Sequence, residues 1–493
     1  MKVFKVIHKW LGVIMAPLMV MWFISGFFMI FSGFPRVENS SRFSLLDTLS
    51  STDSLPHASQ LRSWYIQKTK SGAELTEIGI EKSPRGLFLN LSGTEGNVMI
   101  EASNGEVAKV IKPSIEDIEE MTYRITQQSP MRIDTLNNLE QWIPFSAQRA
   151  EFPIYKVAVN DGHDTHLYFS GQSGRLLQQT NSNNRLLACF GAIPHWLYFW
   201  PIRQNIDLWI NIFIVLGIVG CLMIISGLVM GIFRTSQARK GKGKKWSPYK
   251  KRWYYWHHIT GLIFGIFVLT WMFSGWMSLD KLPSWMTGPT PDKEYYTLSR
   301  SLPITSGINL DFDKAIEIYP NAKRITYGSY LGQGYYVIED GTSKEYVQIE
   351  DGIVQPLKVS EEQAKTYLTA ELPQVKIESC RTLTDYTANY LPHPKGRHKP
   401  PLPVFEVKTD DGTTLYMAST EPRVQVTNKA TVLNSWAYQK LHAFKFLWAY
   451  HHPALWMALM LILLSGGTLV SITGIVLAWN VLRRQFKGRK KNS

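Results

Sequence analysis

The sequence predicts an α-helical membrane protein with four transmembrane helices and α+β domains outside the membrane, and three observations support this prediction. Four stretches of 21 to 25 residues contain no charged side chain, and each is long enough to cross a bilayer as a helix. The segments between them alternate apolar and polar residues, which is typical of strands. The whole pattern occurs twice, which indicates an internal duplication. The uncharged stretches are Trp10–Phe31, Trp209–Phe233, Ile259–Leu279 and Trp456–Trp479.

The first uncharged stretch follows Lys2, Lys5 and Lys9, which is also how a secretory signal begins. Its apolar run is longer than the apolar region of a signal, and no cleavage site of small residues follows it. We therefore expect this stretch to remain in the protein as a membrane anchor.

The net charge of +14 originates in three short segments. Residues 1–9, 234–256 and 480–493 carry 18 of the 53 Lys and Arg residues and no acidic residue, and the rest of the chain has 35 basic and 39 acidic residues. All three segments face the cytoplasm if the N-terminus does, as the positive-inside rule expects. The charge therefore indicates cytoplasmic termini and contacts with anionic lipids. It gives no support to a nucleic-acid partner.

Equivalent residues recur along the chain at a nearly constant offset of 247 to 250 positions. Because each half crosses the membrane twice, both halves start on the same side. We expect parallel repeats related by a pseudo-two-fold axis along the membrane normal. The matched pairs include His8 and His257, Gly12 and Gly261, Trp22 and Trp271, Ser25 and Ser274, His195 and His442, and Trp209 and Trp456.

The external regions combine hairpin signals, such as AsnGly and AspGly between β-branched and aromatic runs, with helical patterns that begin at Ser114 and Ser360 as N-caps. We expect two small α+β modules in each region. The predicted segments are the N-terminus with the first transmembrane helix (1–34), a first periplasmic region (35–205), the second transmembrane helix (206–233), a basic cytoplasmic loop (234–256), the third transmembrane helix (257–280), a second periplasmic region (281–440), an amphipathic segment with the fourth transmembrane helix (441–482) and a basic tail (483–493).

Two kinds of motif resemble a known family. Val98–Val107 has the form V-x-I-E-x-x-x-G-E-V, which is similar to the end of a PepSY domain. The order of His8-Lys-Trp-Leu-Gly, Leu441-His-Ala and Ser471-Ile-Thr-Gly resembles the PepSY-associated transmembrane helix family over nearly the whole chain. The resemblance implies PepSY-like periplasmic domains and a location in the bacterial inner (cytoplasmic) membrane. Members of this family include inner-membrane reductases of ferric siderophores that hold b-type haem.

Four histidines are the main candidates for a functional site. His8 and His257 lie at the cytoplasmic mouths of the first and third helices, and His195 and His442 lie in amphipathic segments on the periplasmic side. Ionisable residues at the membrane need a partner or a ligand. Two imidazoles facing each other across the repeat axis suit the axial positions of a haem iron, and all four coincide with the motifs of the family. We therefore expect two haem b groups.

Other interpretations of these histidines stay open. Each could be a capped or water-bonded residue, and a duplication also produces paired residues that have no role. The expected pairing is His8 with His257 and His195 with His442. In the alternative arrangement, both haems lie on the same side of the membrane. His258 could replace His257, and His451 and His452 could orient a haem or face water.

Trp22 and Trp271 each follow the first histidine of their half by about 21 Å along a helix. At that depth they could lie on an electron path between two haems, and helix packing is the competing explanation.

Two periplasmic loops also contain notable residues. His163-Asp164-x-His166 has side chains that bind metals, but the loop is absent from the second half and a solvated hairpin explains it better. His393–Pro403 is basic and proline-rich, and could attract anionic ferric complexes or act as a semi-rigid connector. Among the three cysteines, a disulfide between Cys189 and Cys380 stays open, and Cys221 falls within the membrane.

The leading hypothesis is a haem-dependent oxidoreductase that reduces a periplasmic ferric siderophore and releases iron as Fe(II), a substrate implied by the resemblance. No nucleotide-binding glycine motif is found, so electrons must come from a membrane quinol or a cytoplasmic donor. The sequence indicates no catalytic residue beyond the haem ligands. The alternatives are a non-enzymatic sensor or regulator that binds a periplasmic protein, a reductase of another periplasmic acceptor and, less favoured, a transporter of intact siderophore.

Overall fold

The computed structural model describes residues 1–50, 58–103, 106–108, 112–240, 244–298, 301–305, 310–350, 352–396 and 399–489. Parts of the predicted basic loop, of the loop His393–Pro403 and of the basic tail lie outside the described residues, as does the turn at 104–105.

Seventeen α-helices occur in the described part of the chain. They are α1 (Lys2–Phe31), α2 (Asn39–Ser44), α3 (Ala58–Lys68), α4 (Ile115–Thr126), α5 (Ser182–Phe190), α6 (Ala192–Trp196), α7 (Trp200–Arg203), α8 (Ile206–Lys240), α9 (Arg252–Trp276), α10 (Ser284–Thr287), α11 (Lys293–Thr297), α12 (Phe312–Ile318), α13 (Glu361–Glu371), α14 (Lys429–Ser435), α15 (Leu441–Ala443), α16 (Leu447–His451) and α17 (Pro453–Arg489). A 3-10 helix covers Ser146–Glu151 and a π-helical turn covers Trp436–Lys440.

Sixteen strands occur in the same described residues. They are β1 (Leu75–Ser83), β2 (Gly86–Gly93), β3 (Gly96–Ser103), β4 (Glu106–Ala108), β5 (Pro130–Leu136), β6 (Ile154–Val159), β7 (Thr165–Ser170), β8 (Leu176–Thr180), β9 (Arg324–Tyr330), β10 (Gln333–Glu339), β11 (Lys344–Glu350), β12 (Ile353–Pro356), β13 (Ile377–Leu383), β14 (Val404–Thr409), β15 (Thr414–Ala418) and β16 (Val424–Thr427).

Four helices, α1, α8, α9 and α17, are long and apolar enough to cross a membrane. Helix α1 packs against α8 and α17, and α9 packs against the same two helices, so the four form a closed bundle in which α1 and α9 are diagonal. The chain is therefore a multi-pass membrane protein with an additional α+β part. We call the end of the bundle that joins the sheets the module end, and the end with residue 1 the terminal end.

The bundle helices differ in length from the predicted ones. Helix α8 starts at Ile206 as predicted but continues to Lys240, seven residues beyond the predicted end. Helix α9 begins at Arg252, within the predicted basic loop, and ends at Trp276. Charged residues at helix ends extend into water, so hydropathy marks only the part of a helix that lies in lipid.

The largest sheet joins the two halves of the chain. Its eight strands have the order β12-β11-β10-β9-β1-β2-β3-β4. Strands β1 and β9 are antiparallel neighbours at its centre, with Ile80 opposite Ile325. The predicted regions 35–205 and 281–440 therefore share one sheet, and its buried core contains residues of both, including Ile78, Ile80 and Ile325.

A salt bridge closes the seam between β1 and β9. Glu81 and Arg324 are paired in register, and both Nη2 and Nε of Arg324 donate to Oε2 of Glu81, at 2.7 and 2.8 Å. The Arg324 guanidinium also lies 5.1 Å from the centre of the Phe43 ring. Each half thus contributes one partner of a half-buried ion pair.

Two further sheets of four strands, β5-β6-β7-β8 and β13-β14-β15-β16, belong to one half each. Helix α4 packs against β5 and β6, and α13 packs against β13. The predicted N-caps are confirmed, because Ser114 and Ser360 each accept a hydrogen bond from the third residue of the following helix. All three cysteines are free, so Cys189 and Cys380 form no disulfide here.

Candidate functional site

Two pairs of histidines face each other inside the bundle. The ring centres of His8 and His257 are 6.1 Å apart at the terminal end, and those of His195 and His442 are 6.1 Å apart at the module end. His8 and His257 lie on the diagonal helices α1 and α9, and His195 and His442 lie on the short helices α6 and α15 that precede α8 and α17. The structure thus places the predicted partners of each pair side by side.

Backbone carbonyls orient the terminal-end pair. Nδ1 of His8 lies 2.9 Å from the carbonyl oxygen of Met223, and Nδ1 of His257 lies 3.2 Å from that of Val470. Thr473 Oγ1 lies 3.0 Å from the same Nδ1. Because a carbonyl oxygen only accepts, Nδ1 carries the proton in both rings.

Serine hydroxyls orient the module-end pair. Nδ1 of His195 lies 3.0 Å from Ser25 Oγ, and Nδ1 of His442 lies 3.1 Å from Ser274 Oγ. Each serine donates its own proton to a carbonyl three residues earlier on its helix. The serine oxygen therefore accepts from the histidine, and Nδ1 again carries the proton.

All four histidines thus have the same tautomer, with the lone pair on Nε2. A metal-binding histidine has this arrangement, in which one ring nitrogen donates a hydrogen bond and the other binds the metal. Two imidazoles bound to one metal ion at about 2 Å each place their ring centres roughly 6 Å apart. The spacing and the tautomers fit a metal group that the two facing imidazoles would hold at each end of the bundle.

The module-end histidines are also neutral. Burial, followed by the facing imidazole, lowers the pKa of His195 to about 3, and burial lowers the pKa of His442 to about 4. Both rings therefore remain unprotonated at Nε2 near neutral pH, as a metal ligand must.

Glycines leave room around the terminal-end rings. A Cβ added at Gly227 on α8 would lie 2.5 Å from Cε1 of His8, and one added at Gly474 on α17 would lie 3.5 Å from Cε1 of His257. Gly12 and Gly261, one turn beyond the histidines on α1 and α9, have no atom within 4 Å of an added Cβ. The spacing of four between histidine and glycine therefore puts an open backbone surface on the same helix face as each imidazole.

A cavity of about 280 Å³ contains the module-end pair. Its walls are mostly aromatic, methionine and aliphatic side chains, and Gly26 and Gly275 lie directly after the two serines that hold the histidines. Among the described lining residues none is Asp or Glu, and Lys395 is the single Lys or Arg.

Trp22 and Trp271 line this cavity, close to the module-end pair. Nε1 of Trp271 donates to the carbonyl oxygen of His442 at 3.0 Å, and the Trp271 ring lies 5.8 Å from the ring of Phe23. Both tryptophans also pack against the buried core of the bundle. They have a packing role, and their part in an electron path stays a prediction.

The three less secure histidines lie apart from the two pairs. His258 is buried but turns toward α8, where Nε2 lies 3.1 Å from the carbonyl oxygen of Gly231. His451 and His452 are exposed. The structure therefore brings none of the three between the rings of a pair.

The loop with His163, Asp164 and His166 contains an ion pair and a hydrogen bond. Asp164 pairs with Arg185 and lies 3.3 Å from His166 Nε2. Among the described residues, no group of three or more His, Cys, Asp or Glu side chains is placed to hold a metal ion.

Several residues of the site were not predicted as such. Ser25 and Ser274 appear in the sequence only as repeat markers, and their equal spacing of 17 residues after His8 and His257 is the signal that could have identified them. His393 and Lys395 were noted only as part of a basic loop, yet both line the cavity.

Comparison with known proteins gives one result that bears on these histidines. The family model of the PepSY-associated TM region matches residues 6–300. The chain belongs to this family. The match includes His8, His195 and His257 of the PepSY-associated protein but ends before His442. No curated protein matches the chain.

Proposed function

We propose that this PepSY-associated protein is an oxidoreductase of the bacterial inner membrane that holds two b-type haems and reduces a ferric siderophore in the periplasm. In this proposal the two halves are parallel repeats, the termini are cytoplasmic and the sheets are periplasmic. His8 and His257 hold the haem near the cytoplasm, and His195 and His442 hold the haem near the periplasm.

One observation carries the proposal: two histidine pairs have the same spacing of 6.1 Å and the same Nδ1 tautomer. Histidines that serve only packing or capping have no reason to share a free Nε2 that points away from their hydrogen-bond partner. Equivalent contacts from the two halves support the repeat as well, since Met223 and Val470, which hold His8 and His257, are themselves 247 residues apart.

The residues of the chain position the cofactor and exclude water. The Nδ1 contacts fix each imidazole plane, and the hydrogen bond that Nδ1–H donates also raises the basicity of Nε2. The apolar walls of the module-end cavity keep the surroundings dry, which affects the potential of a bound metal. Haem at these positions supplies a one-electron carrier at each end of the bundle.

The acceptor and the donor follow from the family resemblance and from topology. A ferric siderophore would be reduced beside the module-end pair, which lies at the end of the bundle that joins the sheets. Reduction would release the iron, because hard oxygen donors bind Fe(II) more weakly than Fe(III). The donor would be a membrane quinol or a cytoplasmic protein that reaches the terminal end, where the basic segments could also contact anionic lipid.

The test is an absorption spectrum of the purified full-length protein, expressed with ample haem supply. A reduced b-type spectrum with two haems per chain is expected, and alanine at any of the four histidines should remove about one haem. Alanine at His451 is a control that should keep both. A colourless wild-type protein would reject the oxidoreductase and leave a sensor or regulator that binds a periplasmic protein.

A further inference from the structure

The two halves differ at two loop positions, and only the second half places these residues in the lining of the module-end cavity. In the first half, the loop between β5 and β6 contains Ile143 and Phe145, which are packed into apolar clusters. In the second half, the corresponding loop between β13 and β14 has His393 and Lys395 at the positions 250 residues later, and both line the cavity. A packed apolar surface in one half is thus replaced by polar side chains in the other.

Lys395 lines this cavity and is held by helix α1. Its Nζ donates to the carbonyl oxygen of Met29 at 3.0 Å, within the last turn of α1, where the helix dipole favours a cation. Its side chain is half-buried. The ammonium group is therefore positioned by the bundle and is not a solvated surface charge.

His393 has the opposite tautomer to the four paired histidines. The backbone N–H of Lys395 donates to Nδ1 of His393 at 3.1 Å, so the proton of a neutral ring is on Nε2. The ring packs edge-on against Trp456, with centres 5.9 Å apart. His393 thus lines the cavity with a protonated Nε2 and is not suited to bind iron through that atom.

The composition of the cavity matches an apolar planar molecule with an anionic edge. Its walls are mainly apolar, its described lining has no Asp or Glu, and Lys395 is its single Lys or Arg. Haem has this distribution of chemistry, with a flat apolar ring and two propionate carboxylates on one side. A carboxylate placed in such a low-dielectric site needs a charged hydrogen-bond donor.

We propose that Lys395 binds a propionate carboxylate of the haem held between His195 and His442. This inference depends on the proposed function, because it assigns the propionate contact of one of its two haems. It also predicts an asymmetry between the haems, since the first half has Phe145 at the position of Lys395.

The test measures the two haem midpoint potentials of the full-length protein by spectroelectrochemical titration. Lys395→Met removes a positive charge that favours the reduced state, so one potential should fall. We expect about a tenfold change in the ratio of oxidised to reduced haem, which is 59 mV for one electron. Lys395→Arg, which keeps the charge, and Lys399→Met, which changes an exposed lysine of the same loop, should keep both potentials.

The unaffected haem reports on folding, because its potential should remain at the wild-type value in Lys395→Met. In a His442→Ala background, which lacks the module-end haem, Lys395→Met should have no effect on the remaining potential. Two unchanged potentials in Lys395→Met would overturn the propionate contact alone. A wild-type protein without haem would reject the proposed function itself, so the two failures are distinct.

Discussion

An alanine at position 227 would place a methyl group against the His8 ring. The added Cβ would lie 2.5 Å from Cε1 and 2.8 Å from Nδ1 of His8. Carbon atoms pack at about 3.5 Å or more, so the ring must move by about 1 Å. Metal–ligand distances tolerate only about 0.2 Å, and the same movement disturbs the 2.9 Å contact with Met223. We expect Gly227→Ala to release the haem held by His8 and His257.

Gly474→Ala is the matched control on the other side of the bundle. Its added Cβ would lie 3.5 Å from Cε1 of His257, which is an ordinary contact, so both haems should remain. Overpacking costs about 1–3 kcal/mol, less than the roughly 5–15 kcal/mol that keeps a typical domain folded. The effect at Gly227 should therefore be local.

The assay is the haem content per chain of each purified variant, measured from the reduced pyridine complex and the protein concentration. Two haems are expected in the wild type and in Gly474→Ala, and one in Gly227→Ala. Retention of both haems in Gly227→Ala would refute the steric reasoning, and equal loss in both variants would show that the 1 Å difference between the two sites is irrelevant.

Three further changes give independent checks. Ser25→Ala removes the acceptor of His195 Nδ1 and should weaken haem binding at the module end by about 10- to 100-fold, measured by haem dissociation. Ser471→Ala, which removes a buried hydroxyl bound to its own helix, should have no such effect. Equal haem affinities of Ser25→Ala and the wild type would contradict the role of the serine. Arg324→Gln breaks the pair with Glu81 and should lower stability by about 1–3 kcal/mol, seen as faster proteolysis of the sheets with an unchanged haem spectrum. His258→Ala should keep both haems, and loss of one would show that this residue is a ligand after all.

The repeat is the reason that the histidine partners could be predicted from the sequence. A constant offset identifies equivalent residues, and equivalent residues lie opposite each other if the halves are related by two-fold symmetry. The same offset includes Ser25 and Ser274, but a serine in a helix most often bonds its own backbone, so its contact with a histidine needs the tertiary structure.

The seam between β1 and β9 and the position of Lys395 could not be predicted. Alternation of apolar and polar residues shows that a segment is a strand and which face is buried, but not which strand lies beside it. The loop with Lys395 has no periodicity, and its path toward the bundle depends on packing against Trp456 and α1. Chain composition contains no information about either feature.

Strand β1 is completed by residues that follow it in the chain by more than 240 positions, since Glu81 pairs with Arg324. During synthesis, the first half therefore has an exposed sheet edge until two more membrane helices and β9 have been made. Such an edge is a site for pairing with other chains, and contacts this distant in sequence form slowly. Assembly of the first module thus depends on completion of the second, and a chain that stops between the halves would leave the edge of β1 that lies opposite β2 without a partner.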